Sequence, residues 1–145
     1  MNAKLISVVA TVVLVATVVY LFYTDSLLGT GPVSLGLQAA AILLMLWARW
    51  TFGLRSFHFS ANPTEGRLVT TGPYRYLRHP IYVAILVSLG VAIACHPSRS
   101  SVLAGLAAAA ATFTRMLSEE KLLRERYPEY ADYARRAKRL VPFLY

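Results

Sequence analysis

From Leu5 to Tyr23 the chain runs for 19 residues without a charge or a proline. Wound as a helix at about 1.5 Å per residue, such a run reaches roughly 28 Å, close to the hydrocarbon thickness of a bilayer. It is rich in Val and Thr, mediocre helix formers in water. In lipid, however, the backbone of a lone segment has to satisfy its own hydrogen bonds, and only a helix does that. Lys4 in front of the run raises the possibility of a signal peptide. The apolar stretch is too long for one, and no A-x-A cleavage pattern follows, so the run predicts a retained transmembrane helix. The remaining composition agrees: hydrophobic residues make up 57% and charged residues 15% of the 145, against roughly 45–50% and about 25% in a soluble domain.

Three further apolar stretches follow. Residues 33–50 come after a turn containing Gly29, Gly31 and Pro32, and end on Trp47 and Trp50, residues typical of the headgroup level. Residues 81–95 follow Pro80, a favourable first-turn position, and stop at His96-Pro97. Residues 102–117 carry the small-residue run 107–111, which allows close helix approach. Between the second and third stretches, 51–79 reads as a long polar loop of the kind that carries function. Beyond Ser118 the chain turns charged and aromatic. Tyr127, Tyr130 and Tyr133 recur there at three-residue spacing, which predicts two short interfacial helices. The expected fold is therefore all-α, a polytopic membrane protein of about four transmembrane helices. It is read as one domain over 1–145, with two spans in 1–50 and a cofactor-binding and catalytic core in 51–145.

Charge placement orients this bundle. The formal net charge is +8. Lys4, the five arginines of 49–79 and the eight basic residues of 115–145 make 14, and Arg99 alone lies on the opposite side of a four-span arrangement. Such a split puts both termini in the cytoplasm. It also accounts for the basic balance without nucleic acid as a partner. The single cysteine, Cys95, excludes an intrachain disulfide and a cysteine-based metal site, and no metal is expected.

Two segments could carry chemistry. In LVTTGPYRYLRHPIY (68–82), Arg75, Arg78 and His79 stand among Tyr74, Tyr76 and Tyr82 at the mouth of the third helix. Such a cluster suits either an interface belt or a ligand cradle of helix-start donors, imidazole and aromatic faces. In RMLSEEKLL (115–123), Arg115 and Glu119 are four apart and share a helix face. Glu119 and Glu120 lie near the expected C-terminal end of an apolar helix, where the macrodipole disfavours carboxylates, so they call for a functional explanation.

Together, LVTTGPYRYLRHPIY and the later EEKLLRERYPEYADY and VPF resemble the integral-membrane S-adenosylmethionine-dependent methyltransferases: isoprenylcysteine carboxyl methyltransferases and the related phospholipid N-methyltransferases. The resemblance covers about residues 49–145. It implies S-adenosyl-L-methionine as cofactor, held by Arg67, Leu68, Val69, Tyr74, His79, Pro80, Ile81, Tyr82 and Glu119. It implies Arg115 as a catalytic residue acting on the acceptor; Glu120 is added as a candidate to help deprotonate an amine. Two positions depart from the family pattern: Ala84 stands where glycine is common, and Tyr127-Pro128 replaces the usual Phe-Gly. The acceptor expected is lipophilic, entering from the bilayer, with membrane lipids as neighbours and a prokaryotic inner membrane as location. The competing readings are an NADPH-dependent reductase of the sterol-reductase type and a non-enzymatic scaffold whose basic tail binds anionic lipid.

Overall fold

The computed structural model describes residues 3–53 and 68–140, all helical apart from turns and one isolated bridge. Four helices form the body: α1 (Ala3–Tyr23), α2 (Pro32–Phe52), α3 (Pro80–Cys95) and α4 (Arg99–Arg126). A 3-10 turn (Gly72–Arg75) precedes α3, and a short α5 (Tyr130–Arg136) follows α4. Helix α1 packs along α4 and α2 along α3, while α3 and α4 meet over a smaller contact.

Among the described residues, three helices, α1, α2 and α4, are long and apolar enough to cross a membrane. The expected third span, α3, has 16 residues, about 24 Å of helix and shorter than a full hydrocarbon core. Their surfaces are inverted relative to a water-soluble bundle. Val8, Val12, Val15 and Phe22 of α1, Leu43 of α2 and Leu103 and Leu106 of α4 are exposed. Most buried positions are small or polar instead: Ser7, Ala10 and Thr17 on α1, Gln38, Ala41 and Ala48 on α2, Ala108 and Thr112 on α4, with Leu21 and Met116 the large exceptions. Without a hydrophobic drive between helices in lipid, small residues and interhelical hydrogen bonds hold such a bundle. Thr17 bonds the Ala104 carbonyl at 3.4 Å and Gln38 the Ser88 carbonyl at 3.2 Å.

Two expectations are corrected. The fourth helix, 28 residues long, does not stop near 117 but continues unbroken to Arg126, and among the described residues one short helix follows it. The segment SEEKLLRER contains good helix formers and no breaker before Pro128. Glu119 and Glu120 thus lie well inside α4, and its last turn carries Arg124 and Arg126 instead. A macrodipole argument, which holds only within the final turn, does not apply to the glutamates. In the described part of the long loop, Gly72 takes φ +57°, and a Cβ there would collide with Thr51 Oγ1. Only glycine lets the turn lie this close to the end of α2. Phe52 and Tyr74 then pack at 5.5 Å between ring centroids.

Candidate functional site

The two segments singled out in the sequence meet. The residues leading into α3 and the C-terminal third of α4 face each other, and the tail after α4 folds back over both.

Glu120 is the centre of this junction. It is 3% exposed. Its Oε1 accepts from Arg78 Nη1 at 2.8 Å and from His79 Nε2 at 3.2 Å. Arg139 adds Nε at 3.2 Å from both oxygens and Nη2 at 3.0 Å from Oε2. A buried carboxylate is stable only when paired and hydrogen-bonded, and here cationic donors engage both oxygens. The backbone repeats the link: Arg78 N–H donates to the Lys138 carbonyl at 2.6 Å and Lys138 N–H to the Tyr76 carbonyl at 3.0 Å. Arg78 Nε also donates to the Ala137 carbonyl at 3.0 Å.

The tyrosines of the tail complete the closure. Tyr127, Tyr130 and Tyr133 are buried in one cluster with Ala137, against Leu68 and Leu123. The Tyr133 hydroxyl donates to the Tyr74 carbonyl at 2.8 Å. Burial pushes the phenols of both Tyr74 and Tyr133 above their ordinary value, so both stay neutral.

Glu119 has a different environment from its neighbour. Its Oε1 accepts from the Tyr82 hydroxyl at 2.7 Å and from Arg115 Nε at 3.1 Å. Its side chain is 25% exposed, against 4% for Glu120. Arg115 continues the chain of polar groups: its Nη1 donates to the Thr11 hydroxyl of α1. The sequence Tyr82–Glu119–Arg115–Thr11 therefore links α3, α4 and α1. His79 stacks on Tyr82 at 5.6 Å and 26°, and Pro80 opens α3 as its first-turn residue.

Of the residues expected at the cofactor, Leu68, Val69, Tyr74, His79, Pro80, Ile81, Tyr82 and Glu119 are described, and Arg67 lies outside the described residues. Tyr74, His79, Pro80 and Tyr82 are buried, while Leu68, Val69, Ile81 and Glu119 are partly open. His79 Nε2 is committed to Glu120 rather than facing open space. Sequence reasoning missed the roles of Arg78, Arg139 and Thr11. Arg78 stood beside His79 in the quoted motif, but nothing in the order of residues pairs Glu120 with Arg139, 19 positions on. Among the described residues, no three His, Cys, Asp or Glu side chains are grouped to hold a metal ion.

Comparison with known proteins fits this architecture. A segment of 78 residues is 38% identical to the nickel-cobalt-cadmium resistance protein NccN of Alcaligenes xylosoxydans xylosoxydans, covering 53% of this chain and 37% of that protein. Against the cobalt-zinc-cadmium resistance protein CzcN of Cupriavidus metallidurans, 78 residues are 36% identical, covering 53% and 36%. The chain thus matches little more than a third of the length of these relatives. No solved structure matches it. Residues 30–130, from the end of the α1–α2 turn to the start of α5, match the family model of the phospholipid methyltransferases. That span contains α2, α3, α4 and both glutamates, and the chain belongs to the phospholipid methyltransferase family.

Proposed function

We propose that the protein is an integral-membrane methyltransferase that moves a methyl group from S-adenosyl-L-methionine to a lipophilic acceptor at the membrane interface. The acceptor is either a carboxylate of the isoprenylcysteine kind or a lipid amine. The observation that carries this reading is the Tyr82–Glu119–Arg115 chain, set inside α4 beside the aromatic loop before α3, in a chain of this family.

The residues present fit the cofactor. Glu119 is fixed by two donors on Oε1 yet partly open, a suitable acceptor for an α-amino group. Tyr74 lies within electrostatic reach of Glu119, and the Tyr82 ring, stacked on His79, is bonded to it; aromatic faces are surfaces that tolerate a cation. The cofactor supplies a methyl carbon already activated by its sulfonium. The protein then has to align the partners and exclude water. Arg115 is suited to orient a carboxylate acceptor through its planar fork. Glu120, with both oxygens engaged by cations, is assigned to anchoring the tail rather than to taking a proton from an amine.

The topology belongs to the same proposal: four spans with both termini cytoplasmic, in the inner membrane of a prokaryote. The 14-to-1 distribution of basic residues supports the orientation. Two contacts support α3 as a span despite its length. His96 Nε2 lies 2.9 Å from the Leu28 carbonyl, and the Tyr20 hydroxyl donates to Ser100 at 2.7 Å. The α1–α2 and α3–α4 turns thus share one end of the bundle, so α3 runs the same course as α2.

Equilibrium binding of labelled S-adenosylmethionine and of NADPH to the protein in detergent tests the cofactor. Binding of NADPH without S-adenosylmethionine overturns the proposal in favour of the reductase reading, and binding of neither favours a lipid-binding scaffold. Methylation of a lipid extract with labelled cofactor, followed by mass analysis, then identifies the acceptor.

A further inference from the structure

Helix α1 ends before the segment that matches the family model begins, at residue 30. Generic spans in that position serve to anchor a chain. Here one residue of α1 touches the candidate catalytic group directly: the Thr11 hydroxyl accepts from Arg115 Nη1. The same hydroxyl donates its proton to the Ser7 carbonyl one turn earlier, at 2.8 Å. That bond fixes the rotor, because a threonine hydroxyl has one proton to give and two lone pairs to offer. With the proton committed along α1, the lone pairs face the guanidinium. Arg115 is consequently held by Glu119 on its Nε and by Thr11 on an Nη, with Tyr82 beside it. The Thr11 bond adds a fixed point on a different nitrogen of the planar group from the one that Glu119 holds, and so bears on its rotation as well as its position. The surroundings of Thr11 suit a residue that holds another in place, since Ser7 beneath it is fully buried, whereas Val8 and Val12 beside it face outward.

We propose that Thr11 is a positioning residue for the methyl-transfer step, holding the Arg115 fork in the plane in which it meets the acceptor, so that α1 forms part of the acceptor site. This inference rests on the methyltransferase reading given above. A guanidinium with its orientation fixed beforehand loses less freedom when it engages a carboxylate or another lone-pair donor.

The test compares Thr11→Val, Thr11→Ser and Thr17→Val. Valine keeps the shape of threonine and removes the acceptor; serine keeps the acceptor. Thr17 bonds the Val13 and Ala104 carbonyls, so its variant perturbs α1–α4 packing without touching Arg115. Thr11→Val is expected to lower turnover about tenfold, as for loss of a hydrogen bond to a charged group, with cofactor affinity within about twofold. Thr11→Ser and Thr17→Val are expected to stay near wild type. In nitrogen-15-labelled protein, the Arg115 Nε–H resonance, assigned by its absence in Arg115→Lys, is expected to move in Thr11→Val and to stay in Thr17→Val. The inference is overturned if Thr11→Val turns over normally, if Thr17→Val loses as much, or if the Arg115 resonance does not respond to Thr11→Val. Should the wild-type protein neither bind S-adenosylmethionine nor transfer methyl groups, the enzymatic reading fails. A resonance that is then unmoved shows that Thr11 does not hold Arg115 at all.

Discussion

Arg139 clasps Glu120 through both carboxylate oxygens, closing a loop of 19 residues that begins inside α4 and ends after α5. Arg78 and His79 approach the same carboxylate from the loop before α3. One buried side chain thereby joins the helix, the loop and the tail. Adjacent residues on α4 consequently have separate surroundings, Glu119 beside Tyr82 and Arg115 and Glu120 beneath the loop and the tail.

Glu120→Gln is expected to destabilise the protein by on the order of 3 kcal/mol, because removing one partner leaves buried cations unmatched. The tail should detach before the bundle melts. Trypsin then cleaves at Arg135 or Arg136 faster than in the wild type, and thermal denaturation in detergent moves down. Wild-type protease resistance in this variant contradicts the anchoring role.

Glu119→Gln is expected to leave the tail protected and to weaken S-adenosylmethionine binding. The amide loses the charge that an α-amino group would meet, on the order of 1.5–3 kcal/mol for a hydrogen bond to a charged group. Calorimetric titration of both variants separates the two glutamates. Weaker binding in Glu120→Gln with unchanged binding in Glu119→Gln reverses the assignment.

Tyr133 links tail docking to alkaline pH. Burial first, then the neighbouring Tyr130 and Tyr74, raise its phenol above the ordinary value near 10. The native state thus keeps a proton that the unfolded chain releases at about pH 10. The stabilisation is complete below that pH and is lost as pH rises above it. Tyr133→Phe removes the bond to the Tyr74 carbonyl, about 1 kcal/mol, and also this titration. Melting temperatures between pH 8 and 11 should fall less steeply for the variant than for the wild type; parallel curves argue against it.

The four apolar stretches and the start of α3 at Pro80 were legible because chain hydropathy and a proline are local signals. The end of α4 was not, since charge density suggested a break where helix propensity carried the helix on to Pro128. The motif residues His79, Tyr82, Glu119 and Arg115 were readable as a group, but their partners were not. Glu120–Arg139 and Arg115–Thr11 join positions 19 and 104 apart. Such pairings follow from how the tail and α1 pack, which the order of residues does not encode locally.

Topology is open to direct labelling in a Cys95→Ala background. Single cysteines at Thr30 and Ser98 should react with an impermeant thiol reagent in intact cells, and one at Glu129 only after the cells are opened. Thr30, Ser98 and Glu129 are all exposed, so lack of reaction reports sidedness rather than burial. Reaction at Glu129 in intact cells inverts the proposed orientation, and reaction at Thr30 without Ser98 removes α3 as a span.

Arg115 provides the sharpest test of the chemistry. A guanidinium inside an apolar helix is costly unless it meets an anion or a lone pair. Glu119 and Thr11 meet two of its edges. If those contacts were its whole purpose, Arg115→Ala would loosen Glu119, and cofactor affinity, stability and turnover would fall together. Tyr82, however, also donates to Glu119 Oε1 at 2.7 Å, a bond that does not run through the arginine. The expected outcome is therefore a split: S-adenosylmethionine binding within a few-fold of wild type, and turnover lower by about 100-fold, as for loss of an orienting or electrostatic group. Lysine should restore only part of it, because a point charge lacks the planar fork. The dissociation constant, melting temperature and turnover are to be measured on the same preparations. A fall in cofactor affinity in step with turnover assigns Arg115 to the ion pair, and a split assigns it to the acceptor.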